Sequence, residues 1–258
     1  MKRKLLIAIA VLLFLFSLGV LLYPTIRTAA FRQAERREIR RFQDYRRADG
    51  GTSFNASIDA PEDILQPESP AQTEPATIER AFPELWEACE AYNTRLVEEQ
   101  PTSLTAAGMN NPALVLSDYG WEEDVFASLS IPSAQIETPL YLGASRSNLV
   151  KGGVILGQTS LPIGGESTHC VIGGHRTWNA ILHPFISLEE VAVGDLVQIT
   201  NPWETLRYRV ISTQTIYPDN LEQVQIQPGR DLLSIFTCTY PNTKRVLVTC
   251  ERICKEGD

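Results

Sequence analysis

Downstream of Asn110 the chain breaks into eight short β-prone runs, at residues 125–131, 139–142, 153–156, 169–172, 196–200, 206–216, 232–239 and 245–253, punctuated by Pro, Gly and other turn formers. Runs this short and this closely spaced lead to a closed barrel or a sandwich. No helical pattern alternates with them, which argues against a parallel α/β sheet, where each crossover needs a helix. The expectation is one mainly β domain over residues 125–258, with no internal repeat.

Ahead of it, Ile78, Phe82, Leu85, Cys89, Tyr92 and Leu96 recur at spacings of four and three, one face of a helix. Pro83 is tolerable there only in the first turn. Residues 78–124 are read as a helical, lid-equivalent region whose apolar stripe packs on something, with Cys89 on the packed face. Residues 50–77 are dominated by Pro, Ser, Thr, Gly and Glu with few large apolar side chains, too little to bury, and are read as a flexible linker. Residues 25–49 carry eight arginines and set Phe31, Ala34, Ile39 and Phe42 along one side. This reads as an amphipathic juxtamembrane helix lying on anionic headgroups. Leu5 to Tyr23 is an almost unbroken apolar run closed by Pro24; at about 1.5 Å per residue it nearly crosses a hydrocarbon layer of about 30 Å. It exceeds the roughly 7–15 residues of a signal-peptide core, so residues 1–24 are read as a transmembrane anchor.

The formal net charge of −8 conceals a division: residues 1–50 hold 11 Lys/Arg against 4 Asp/Glu, a balance of +7, and the remainder holds 12 against 27, a balance of −15. An acidic globular part lacks the clustered cations that neutralise phosphates, which excludes nucleic-acid binding.

Histidine supply is short: His169, His175 and His183. Gly173-Gly174-His175-Arg176 follows a β-prone run, placing His175 at a strand end beside flexible glycines, where sites tend to sit. His169 lies within that run and reads as structural; nothing ties His183 to chemistry. Cys238 ends the apolar run 232–239 before a turn, and Arg245 opens the next run after Pro241-Asn242-Thr243. A tight turn returns the chain antiparallel and brings Arg245 near Cys238. A cation beside a thiol lowers its pKa, and a guanidinium can donate to an oxyanion. Two blander readings stand beside this one. Cys238 can be a buried structural thiol, or zinc can draw on His169, Cys170, His175, Cys238, Cys250 and Cys254, although only Cys250-x-x-x-Cys254 has ligand-pair spacing. The five cysteines are an odd number without framework spacing, so a disulfide scaffold is not expected.

Three linked stretches resemble the sortases, surface transpeptidases of Gram-positive bacteria: Thr159 to Arg176, ending in Gly-Gly-His-Arg; Ser234 to Cys238; and Arg245 in Thr-Lys-Arg-Val-Leu-Val. The resemblance runs from about Val125 to Ile253. It implies an eight-stranded β-barrel, preceded by a helix and a single transmembrane helix. It also implies Cys238 as nucleophile, His175 as proton-transfer partner, Arg245 as oxyanion stabiliser and Thr237 as a substrate contact, with no cofactor and no metal. The detail is most like the pilin-polymerising class C. No Asp-Pro-aromatic lid motif occurs between Gln100 and Val125, where Tyr119 or Trp121 are the available aromatics, and the loop between Cys238 and Arg245 is about two residues short of the class C pattern.

The implied reaction cleaves an LPxTG-like sorting signal between Thr and Gly and passes the acyl group to an amine, a pilin lysine or a cell-wall peptide. The partners are then LPxTG-bearing surface or pilin proteins and the membrane, the latter through residues 5–23. Counting the arginines after the span puts the C-terminal side in the cytoplasm; Lys2, Arg3 and Lys4 abutting the span and the chemistry of the site put it outside, which is the orientation adopted. Two rival functions remain open: a thiol peptidase with the same Cys-His pair, and a non-catalytic, membrane-tethered β-domain that binds a partner.

Overall fold

Each β-prone run becomes a strand of one closed sheet. The structure is a computed structural model that describes residues 2–49, 80–99, 104–179, 181–218 and 221–253. The linker at 50–77, Ile78 of the helical stripe and Cys254 lie outside the described residues. In chain order the elements are α1 (Lys2–Asp49), α2 (Pro83–Glu99), α3 (Ala106–Asn110), β1 (Val125–Ile131), β2 (Ile136–Leu142), α4 (Arg146–Lys151), β3 (Gly153–Ile155) and β4 (Thr168–Gly173). They continue with β5 (Thr177–Trp178), β6 (Ile181–Leu182), β7 (Leu196–Thr200), β8 (Thr205–Ile216), β9 (Asp231–Cys238) and β10 (Arg245–Arg252).

Eight strands close in the order β1-β2-β3-β4-β9-β10-β8-β7, while β5 and β6 form a separate small hairpin. Closure leaves no unpaired edge. Most contacts are antiparallel, but β2–β3 and β4–β9 are parallel. The first of these parallel pairs is bridged by α4. Leu129, Ile131, Ile199, Leu206, Leu233, Ile235 and Val248 fill the interior, all fully buried. The β5–β6 hairpin escapes detection in the sequence because two residues per strand are too few to show a period of two.

The stripe on α2 is buried as its spacing requires, through Leu85, Cys89, Tyr92 and Leu96, with Pro83 as first residue. Buried Asn93 behaves like an extra strand: it accepts from Leu161 N (2.8 Å) and donates to Leu161 O (3.1 Å). Tyr92 Oη accepts from Gln158 N at 3.0 Å. All three bonds fix the segment that leads into β4.

Two readings change at the N-terminus. First, α1 does not end at Pro24 but runs through it to Asp49. An interior proline costs about 3 kcal/mol, which the contacts made by the later turns outweigh. Secondly, the apolar side of residues 25–49 lies on protein, not headgroups: Ile39 and Phe42 are buried and Phe42 packs on Trp121 at 5.9 Å. Tyr45 and Phe82 complete an aromatic cluster around Trp121, so Trp121 is a core residue and not a cover for a site. Tyr119 also packs against this core. Arg41 pairs with Glu123 at 2.7 Å and Arg46 Nη1 donates to Asn201 O at 3.2 Å. A matching protein surface removes more apolar area from water than the headgroup layer can; Ala34 alone of the four stays exposed. The large apolar side chains from Leu5 to Tyr23 are exposed, and α1 is long and apolar enough there to cross a membrane.

Candidate active site

Burial along β9 alternates at its end: Ile235 and Thr237 face the interior, and half-buried Cys238, its last residue, faces out. The chain then folds back at once, with Thr239 N donating to Lys244 O at 3.0 Å and Lys244 N donating to Thr239 Oγ1 at 3.2 Å. Arg245, first residue of β10, is thereby the direct cross-strand partner of Cys238. Such partners share a face with Cβ atoms about 4.5–5.5 Å apart. Arg245 Nη1 donates to Lys244 O at 3.0 Å; a guanidinium carries five N–H donors, so capacity remains for a developing oxyanion.

His175 is delivered from the other side of β9. Strand β4 runs parallel to β9 with Gly173 opposite Phe236, Gly174 N donates to Phe236 O at 3.2 Å, and Thr237 Oγ1 donates to Gly174 O at 2.8 Å. His175 is two residues past Gly173, as Cys238 is two past Phe236, so both leave neighbouring strands at the same level. Gly174 is needed for close approach: a Cβ there would stand 2.3 Å from ring carbons of Phe185. The imidazole of His175 stacks on Trp178 (centroids 4.8 Å, 14° between planes) and meets His183 edge-on at 5.8 Å. Burial lowers its pKa, which by itself favours the neutral, proton-accepting form of the ring; a thiolate nearby would favour the cation again.

A sortase-domain family model matches residues 129–253. A solved structure of Streptococcus pneumoniae sortase C, described in terms of catalysis and pilin substrate specificity, is similar at a TM-score of 0.58 with 31% identity, covering 67% of this chain and 88% of that one. The chain belongs to the sortase family. A lid mutant of sortase A from Corynebacterium diphtheriae is similar at a TM-score of 0.58 with 31% identity, over 68% of this chain and 95% of that one. Sortase A of Streptococcus agalactiae serotype III matches at 24% identity over 130 residues, 49% of this chain and 52% of that protein. The chain spans about half the length of the curated relatives it matches.

In this sortase the thiols divide cleanly. Cys89, Cys170 and Cys250 are buried, and burial pushes their pKa up, that of Cys89 to about 12. Cys238 alone among the described free cysteines has access to solvent, the condition for a reactive thiol. Of the ligands considered for zinc, Cys170 and Cys250 point into the barrel core, and among the described residues no three His, Cys, Asp or Glu side chains gather.

Thr237, expected as a substrate contact, has a fully buried side chain whose hydroxyl donates to Gly174 O, where it holds the strand end that carries His175. His169 is structural, bonded through Nδ1 to Gln225 O and through Nε2 to Ser234 Oγ, both at 2.8 Å. His183 and Trp178, unmarked in the sequence, prove to flank His175. Trp178, three residues after His175, offered a weak local signal; His183 offered none, because the β5–β6 hairpin brings it back.

Proposed function

We propose that this sortase is a membrane-tethered cysteine transpeptidase that cleaves an LPxTG-like sorting signal between Thr and Gly and transfers the acyl group to an amine. The acceptor is a pilin lysine or a cell-wall peptide amine, and likeness to sortase C structures supports the pilin-polymerising class. The observation that carries the reading is the register that sets Cys238 opposite Arg245 at one barrel mouth, with the segment bearing His175 hydrogen-bonded alongside.

The Cys238 thiolate adds to the Thr carbonyl, and the resulting oxyanion is met by the Arg245 guanidinium. Collapse breaks the C–N bond as the His175 imidazolium gives its proton to the departing Gly amine. The thioester left on Cys238 is attacked by the acceptor amine, which surrenders a proton to His175 as the thiolate leaves. Water in place of the amine gives hydrolysis. With α1 as anchor, the N-terminus lies inside the cell and the barrel outside.

Cys238→Ala is expected to abolish product in a peptide-plus-amine assay; retention of full activity would remove the assignment. Protease treatment of intact cells is expected to reach residues 80–258, and their protection would reverse the orientation.

A further inference from the structure

His175 opens a loop whose ends are tied together. His183 N donates to Arg176 O at 3.1 Å, and β5 pairs with β6 through Thr177–Leu182 and Trp178–Ile181. A hairpin with two residues per strand does not hold its own shape. Here the support comes from α1: Leu182 N donates to Thr28 Oγ1 at 3.2 Å, Arg27 Nη1 donates to Asn179 O at 3.5 Å, and the Phe31 ring lies 4.3 Å from that of His183. His183 is 1% exposed and its Nε2 has no hydrogen-bond partner among the described residues. An aliphatic or phenyl group would fill the same space without a buried unpartnered nitrogen, and such groups call for an explanation beyond packing. The other face of the His183 ring environment is His175, met edge-on at 5.8 Å.

We propose that Thr28 and Phe31 of α1, acting through His183, are positioning residues for the His175 imidazole, so that the anchoring helix is a working part of the active site. The inference rests on the reading of His175 as the acid–base group. Rotation about the bond to an imidazole ring is soft; Trp178 on one side and a braced His183 on the other restrict it. Burial and the neighbouring His175 lower the pKa of His183 to about 4, so a neutral ring faces His175 and does not compete with its positive form. The other charges around the cluster are Arg27, Arg146, whose guanidinium lies 5.2 Å from the Trp178 ring, and Arg176, which is paired with Glu189. The bracing turn begins four residues after Tyr23, the last residue of the apolar run, so the constraint originates at the point where the helix leaves the apolar layer.

The test uses the full chain in lipid nanodiscs, carrying Phe31→Ala or the nearly isosteric Thr28→Val. Two quantities are read: the His175 titration by imidazole NMR, and kcat and KM in the peptide-plus-amine assay. Phe31→Ala is expected to admit water behind His183, move the His175 titration upward toward its ordinary value, and lower kcat on the order of tenfold at constant KM, as a small misplacement of a catalytic group does. Thr28→Val should act in the same direction with less distortion, and Phe31→Leu should restore part of the loss. An unchanged His175 titration in both variants, or a shifted titration with wild-type kcat, overturns the proposal. His175→Ala at wild-type rates would overturn the reading of the site itself, a separate result from either.

Discussion

Replacing Thr237 by Val keeps the shape of the side chain and deletes one hydroxyl. That hydroxyl is fully buried and donates to Gly174 O at 2.8 Å, so the variant leaves a buried carbonyl without this donor, at a cost of about 1–3 kcal/mol. For a domain of this size about 2–4 °C of Tm accompanies each kcal/mol, so a drop of roughly 2–12 °C is expected in thermal unfolding. Thr237→Ser is the matched control: it keeps the donor and removes a methyl group, at about 0.5–1.5 kcal/mol. The two variants thus overlap in stability but diverge in rate. Gly174 immediately precedes His175, and a displacement near 1 Å in a catalytic group can cost about 100-fold. Thr237→Val should therefore lower kcat with little change in KM, while Thr237→Ser should stay near wild type in the peptide-plus-amine assay. If Val leaves kcat intact and raises KM, Thr237 contacts substrate and the inward orientation argued above is wrong. Equal kcat for Val and Ser would likewise refute a role for the hydroxyl.

Arg245→Lys should lower kcat by about 10²–10³-fold, the loss seen when an oxyanion donor is removed, because a point charge lacks the guanidinium's fork of donors; wild-type kinetics would deny Arg245 its role. Labelling the native protein with a methanethiosulfonate, followed by peptide mapping, should modify Cys238 well before Cys89, Cys170 and Cys250, which are buried; equal rates would contradict the division of thiols. Glu35, 2% exposed and bonded to Thr138 Oγ1 at 2.6 Å, has its pKa raised by burial from 4.5 to about 8, opposed by Thr138 and Arg32 and reinforced by Glu137. The folded state then binds a proton that the unfolded state has released, so stability is intact below about pH 4.5 and falls as pH rises toward 8, by on the order of 3 kcal/mol at pH 7. Glu35→Gln should raise Tm at pH 7–8 and leave it unchanged near pH 4; an equal change at both pH values would show that the carboxyl is not held protonated.

How much of this protein is legible in its sequence follows from the range over which each signal acts. Strand propensity and its Pro and Gly punctuation are local, so eight barrel strands could be placed within a few residues of their ends, 196–200 without error and β2 three residues late. The pairing of Cys238 with Arg245 is also local, because one short turn sets the register across it. The helical stripe from Leu85 to Leu96 says that a face is buried, and it is.

What the tertiary structure alone decided concerns partners. An amphipathic pattern records that a face is apolar and not what covers it, so Ile39 and Phe42 read equally well for lipid and for a barrel wall. The parallel contact of β4 with β9 joins segments about sixty residues apart, and only that contact brings His175 level with Cys238. His183 reaches His175 through a hairpin too short to leave a period in the sequence. Thr237 shows the limit most plainly: β9 carries large apolar residues on both faces, Leu233 and Ile235 on one and Leu232 and Phe236 on the other. Alternation by itself could not say which face turned inward until the barrel closed.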